Sequence, residues 1–236
     1  PEVIVSGPDF VSNPRFSPDG AKLCWIEWDH PNMPWDGTRL LVRDLETGEQ
    51  QLVAGGEQES VGEPQWQADG ALTFISDRTG WWNLYRWNPA GGVEALVELE
   101  AEIGAPEWVF GISRYAVLGD GRVVFARTRD GVDGLAVRRA DGTLAELELP
   151  SSLIRNMARD GDSSVVVVGG SFREESSVMR IMLREGSTIE RIETLRPPRD
   201  LAELGIDRTY ISEPEPIDFS SAGGRTAHAL LYRPRN

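Results

Sequence analysis

Apolar residues along this chain come in short runs rich in β-branched and aromatic members. Examples are Lys22-Leu23-Cys24-Trp25-Ile26, Leu72-Thr73-Phe74-Ile75, Arg122-Val123-Val124-Phe125-Ala126 and Val165–Val168. Runs of this length, bounded by Gly, Asp, Asn and Pro, predict strands. No long 3.6-residue period appears. Pro198 to Gly205, with Asp200 near its start and Gly205 as a stop, predicts one short helix.

The runs repeat. Pro14-Arg15-Phe16, Pro64-Gln65-Trp66 and Pro106-Glu107-Trp108 are each followed by an Asp-Gly turn, at Asp19-Gly20, Asp69-Gly70 and Asp120-Gly121, and then by a strand-like run. The turn aspartates recur 50 and 51 residues apart. A second run follows in each unit (Leu41–Arg43, Leu84–Arg86, Ala136–Arg138), then a turn and a short outer run (Gln51–Val53, Ala95–Val97, Leu144–Leu147). A weaker fourth unit spans 153–195. It keeps Asp160-Gly161 but lacks the Pro-x-aromatic pair. Four short strands per unit of about 40–50 residues are the signature of propeller blades. A single four-stranded sheet has two apolar faces, which it buries by stacking on neighbours. The expected fold is therefore all-β: a partial β-propeller of about four four-stranded blades, at 11–56, 61–100, 105–150 and 152–196, within residues 1–200. Trp25, Trp66, Trp87 and Trp108 are expected to fill the space between blades.

Charge and cysteine content narrow the function classes. The net charge of −14 disfavours nucleic acid and anionic membrane, because binding phosphates needs clustered Lys and Arg. No apolar stretch approaches the roughly 18 residues of a membrane span. The single cysteine, Cys24, rules out an intrachain disulfide and suggests the cytoplasm. Pro1-Glu2-Val3-Ile4-Val5 has no initiator Met and lacks the basic and apolar regions of a secretory leader, so the chain is expected to begin inside a longer protein.

The sequence has no G-x-S-x-G elbow; Gly111-Ile112-Ser113 is followed by Arg114-Tyr115. Its two histidines, His30 and His228, lie far apart, and Cys24 stands among apolar residues. No zinc, EF-hand or phosphate-loop pattern occurs. No catalytic residue, metal or cofactor is therefore expected in this chain.

Asn13-Pro14-Arg15-Phe16-Ser17-Pro18-Asp19-Gly20 resembles the blade opening of propellers in prolyl oligopeptidases, acylaminoacyl peptidases and TolB proteins. Ser76-Asp77-Arg78-Thr79-Gly80-Trp81-Trp82-Asn83-Leu84-Tyr85-Arg86 and Pro106–Ser113 are similar to the acylaminoacyl-peptidase and dipeptidyl-aminopeptidase-like members of that family. Glu213–Phe219, leading through Gly223-Gly224 into Thr226–Tyr232, looks like the exit into the first hairpin of an α/β-hydrolase domain, so 201–236 is expected to be a linker and the first strands of that domain.

The resemblance implies a serine-type aminopeptidase or acylaminoacyl peptidase as parent. This chain would be the non-catalytic propeller that gates and selects short peptide or aminoacyl-amide substrates, partnered by a C-terminal hydrolase domain of the same polypeptide. The alternative is a TolB-like protein-binding module without catalysis. Arg173, Glu174 and Glu175 are candidates for a clamp on a substrate amino terminus, as the dipeptidyl-peptidase branch uses paired glutamates. Trp35, Trp81, Trp82, Trp108 and Phe110 are candidates for an apolar specificity wall, with packing between blades as the competing role.

Overall fold

The computed structural model describes residues 2–235 and is built almost entirely of antiparallel strands. It divides into two compact units, one up to Ile112 and one from Ser113 onward.

The first unit holds two sheets. Strands β1 (Phe10–Phe16), β2 (Lys22–Trp28), β3 (Arg39–Asp44) and β4 (Gln50–Gly55) form one, in that order; β5 (Val61–Trp66), β6 (Leu72–Ser76), β7 (Asn83–Asn88) and β8 (Gly92–Val97) form the other. The second unit repeats the plan with β9 (Tyr115–Val117), β10 (Val123–Arg129), β11 (Val132–Arg138) and β12 (Leu144–Leu147), then β13 (Leu153–Arg159), β14 (Ser164–Gly170), β15 (Ser177–Leu183) and β16 (Ile189–Arg196). It ends in a two-stranded hairpin, β17 (Pro214–Ser220) and β18 (Thr226–Tyr232). In each four-stranded sheet sequential strands are neighbours, so each sheet is a propeller blade.

The Asp-Gly pairs close the turns between first and second strands. The Asp19 carboxylate accepts from the Ala21 N–H (3.0 Å) and the Ser17 hydroxyl (2.6 Å), while Gly20 takes a left-handed φ of 72° that a side chain would resist. Asp69 and Asp120 do the same for the N–H groups of Ala71 and Arg122, both at 3.1 Å.

Each unit buries one main core between its blades. In the first it comprises Cys24, Ile26, Trp28, Leu40, Val42, Leu72, Phe74, Tyr85 and Trp87, among others. In the second it is aliphatic, with Val124, Leu135, Val137, Ile154, Val165, Val167 and Ile181 at its centre. Trp87 is buried in the core between the blades as expected, Trp25 is buried outside that cluster, and the half-buried Trp66 packs against the first core and donates from Nε1 to the Arg15 carbonyl at 3.0 Å. Trp108 differs. It is 73% exposed and fills no space between blades.

The sequence spacing explains the difference. Pro14 and Pro64 stand five residues before their turn aspartates, on β1 and β5; Pro106 stands fourteen before Asp120, outside any strand. The third Pro-x-aromatic is therefore part of a longer connection, and β9 begins only at Tyr115. The short helix expected over 198–205 is a single turn instead. Asp200 accepts from the Ala202 N–H (2.9 Å), and the Leu204 and Gly205 amides bond back to Leu201 and Ala202. Two prolines, Pro197 and Pro198, precede it, and so short a segment does not recover the cost of helix nucleation.

Strands β1 and β5 carry the same irregularity. Their pairing with β2 and β6 shifts register between Ser12 and Arg15 and between Gly62 and Gln65, and Asn13 (φ 49°) and Glu63 (φ 51°) take left-handed backbone conformations there. This is a β-bulge that turns one polar side chain per blade inward; Asn13 and Glu63 are 7% and 9% exposed.

Candidate functional site

In an up-and-down blade, the loop between the second and third strands lies at the same end as the connections to neighbouring blades. Every candidate residue sits on such a loop or on a connection that follows a blade. Trp35 follows β2, Trp81 and Trp82 follow β6, Trp108 and Phe110 follow β8, and Arg173 to Glu175 follow β14.

The first unit brings several of these together. The Trp35 and Trp108 rings lie 4.3 Å apart at 44°. Val109 and Phe110 extend this apolar knuckle and are 66% and 75% exposed. Pro34 and Glu107, the residues immediately before the two rings, line a narrow recess with Gly62, Glu63, Trp82 and Gly104. Gly104 allows the wall to close, since a Cβ there would stand 2.9 Å from the Trp82 ring. Trp82 is half-buried, and its N–H donates to Glu102 (2.8 Å); Trp81 is more open and lines no part of the recess. Glu107 accepts from Asn13 Nδ2 at 2.7 Å, and burial pushes its carboxyl above the ordinary glutamate value, partly offset by hydrogen bonds from Asn13 and Ser12 and by the nearby Arg15 charge. Glu63 and Glu107 were not singled out from the sequence. The only available signal was their place, one just before the blade proline and the other just after it.

In the second unit Arg173, Glu174 and Glu175 each hold a partner. Arg173 pairs with Glu213 (2.5 Å), Glu174 with Arg208 (3.3 Å) and Glu175 with Arg199. The Arg199 guanidinium lowers the Glu175 carboxyl. All three partners lie on the segment between β16 and β17, so the loop is stapled to the approach to the hairpin. Phe172 meets Tyr232 edge-on at 6.5 Å, and Leu230 packs against Gly131. A substrate ammonium at Glu174 and Glu175 would compete with Arg208 and Arg199.

Among the described residues, Ser113, the two histidines and Cys24 are not brought together. The Ser113 hydroxyl donates to the Tyr115 carbonyl (3.0 Å). His30 and His228 are exposed and pair with Asp9 (3.1 Å) and Asp218 (2.6 Å). Cys24 is buried, and its thiol is pushed up to about 12. No helix among the described residues is long and apolar enough to cross a membrane.

No protein-family model and no curated protein matches the chain. Solved structures do. A puromycin-hydrolyzing peptidase of Mycobacterium tuberculosis superposes on all of the chain with a TM-score of 0.87 and 34% identity. The chain belongs to the prolyl oligopeptidase family, to its β-propeller portion. A puromycin hydrolase matches 96% of this prolyl oligopeptidase-family propeller with a TM-score of 0.83 and 32% identity. The chain spans 35% and 34% of the length of those two proteins. TolB from Acinetobacter baumannii, at 14% identity and a TM-score of 0.59, covers 97% of the chain and 53% of its own length; at that identity the likeness is one of fold.

Proposed function

We propose that this chain is the non-catalytic propeller segment of a cytoplasmic serine peptidase, and that it gates and selects short peptide or aminoacyl-amide substrates for a hydrolase domain of the same polypeptide. The observation that carries the reading is the end-to-end match, at 34% identity, to about a third of a peptidase described as puromycin-hydrolyzing. It is supported by the absence of a G-x-S-x-G elbow from the sequence and by the gathering of the aromatic candidates at the loop ends of the blades. The propeller supplies binding and orientation, and acyl transfer through Ser, His and Asp takes place in the hydrolase domain. The parent is then an aminopeptidase or an acylaminoacyl peptidase.

The test compares this 236-residue chain with the full natural gene product, using a fluorophosphonate probe and chromogenic aminoacyl and acyl-aminoacyl substrates. Labelling and turnover are expected in the longer product alone. Labelling of the short chain would overturn the non-catalytic assignment. Inactivity of both would favour a protein-binding propeller.

A further inference from the structure

The segment between β16 and β17 has almost no core of its own. From Arg199 to Tyr210 the one buried side chain is Leu201, while Leu204, Ile206 and Tyr210 are exposed. Its backbone forms two single turns. The Leu204, Gly205 and Ile206 amides bond back to carbonyls of Asp200, Leu201 and Ala202, and the Tyr210 and Ile211 amides to those of Asp207 and Arg208. A stretch that buries so little apolar surface gains little from packing and opens readily.

What fastens it to the blade is a register of charges. Along the loop after β14, Arg173, Glu174 and Glu175 read plus, minus, minus; along the segment taken backwards, Glu213, Arg208 and Arg199 read minus, plus, plus. Arg173 pairs with Glu213 at 2.5 Å, Glu174 with Arg208 at 3.3 Å and Glu175 with Arg199. Three consecutive residues meet three partners in reverse order, each of opposite sign. The last pair is bidentate, with Arg199 Nε and Nη2 donating to the two oxygens of Glu175. The hairpin that follows is anchored to the blades by apolar contacts instead: Leu230 lies against Gly131, and Phe172 meets Tyr232 edge-on. Ionic and apolar anchors are therefore separate along the chain.

We propose that the loop 171–176 and the segment 199–213 form an ionic strap, closed at low salt, which opens as one unit at high salt while the hairpin stays docked. Exposed ion pairs are individually weak and are screened by salt, but three of them acting on one coreless segment bias the same closing equilibrium. The strap does not depend on what the parent protein hydrolyses.

Amide hydrogen exchange, read by mass spectrometry on the 236-residue chain, tests it. Between about 0.05 M and about 1 M NaCl, where the screening length falls to about 3 Å, exchange over 200–211 is expected to rise about five- to tenfold, the combined worth of three exposed pairs. Exchange in β17 and β18 should change by less than about twofold over the same range. The double variant Glu174→Gln, Glu175→Gln should exchange about three- to fivefold faster over 200–211 at low salt and lose most of the salt response. Glu175→Arg should open the segment too, and adding Arg199→Glu, which restores the pair with its charges exchanged, should recover most of the protection. Exchange over 200–211 that ignores salt, that is unprotected already at low salt, or that rises together with the hairpin's would overturn the proposal. So would a double variant indistinguishable from the unaltered chain, or a charge exchange that recovers nothing.

Discussion

The two units solve the same joining problem with different chemistry. In the first, Thr38 stands just before β3. Its N–H donates to the Glu59 carbonyl (3.0 Å), its hydroxyl donates to the Val61 carbonyl (2.8 Å) and that hydroxyl accepts from the Val61 N–H (2.7 Å). One neutral side chain thereby fastens β3 to the start of the next blade. In the second unit Asp133 takes the same place. Its N–H donates to the Ser152 carbonyl (3.0 Å), and its carboxylate accepts from the Ile154 N–H (2.6 Å). A carboxylate that is 7% exposed needs a counter-ion, which Arg114 supplies at 3.1 Å while also donating to Thr128 Oγ1 (2.9 Å) and the Ile154 carbonyl (2.7 Å). The joint with the aromatic-rich core is uncharged, and the joint with the aliphatic core is ionic. A buried ion pair is costly to desolvate but more costly to split.

Splitting it is therefore the largest effect expected. Asp133→Ala should destabilise the chain by about 3–5 kcal/mol in urea denaturation, because it splits a buried ion pair and takes the acceptor from the Ile154 N–H. Replacing both, Asp133→Leu with Arg114→Met, should recover part of that loss, because it removes both charges while the Ile154 N–H, the Ile154 carbonyl and the Thr128 hydroxyl lose these hydrogen bonds. If the double variant is as unstable as the single one, the hydrogen bonds rather than the charges hold the joint.

Thr38→Val should cost less, about 1–3 kcal/mol, since it orphans the buried Val61 N–H without stranding a charge. A loss equal to that of Asp133→Ala would erase the distinction between the two joints.

A smaller change of opposite sign is expected at Glu107. Burial raises its carboxyl, so the native state binds this proton more tightly than the unfolded chain and stability falls as the pH rises through the folded value. Glu107→Gln should therefore raise the unfolding midpoint slightly at neutral pH, and the gain should vanish below the ordinary glutamate range. A midpoint lowered at neutral pH would show that its hydrogen bond to Asn13 outweighs the desolvation of the charge. The smallest effect expected is at Cys24, whose thiol is pushed up to about 12; it should resist iodoacetamide at pH 8 in the folded chain and react once denatured.

The strand runs and Asp-Gly turns were legible because each obeys a local rule: alternation or β-branching for a strand, a left-handed glycine after a capping aspartate for a turn. Positions set by long-range partners were not. Pro106-Glu107-Trp108 reads like a blade opening, and only its distance to Asp120 betrays that it lies outside the ladder. Arg173-Glu174-Glu175 reads like a free charged loop, and nothing local announces Glu213, Arg208 and Arg199 opposite it. The pairing of Arg114 with Asp133 is equally silent, since the two residues lie 19 apart and are brought together across β10. The candidate wall was half visible: its tryptophans stand out in the sequence, while the glutamates behind them do not.

The bulges at Asn13 and Glu63 have a consequence for how such a chain can change. The residue six positions before the turn aspartate is Asn13, Glu63, Arg114 and Ile154 in the four blades, and all four are buried. The chain thus carries an amide, an acid, a guanidinium and a hydrocarbon at one address of a common template. Each repeat thus holds one buried position at which the same strand geometry accommodates a different chemistry, so the blades can diverge there one at a time.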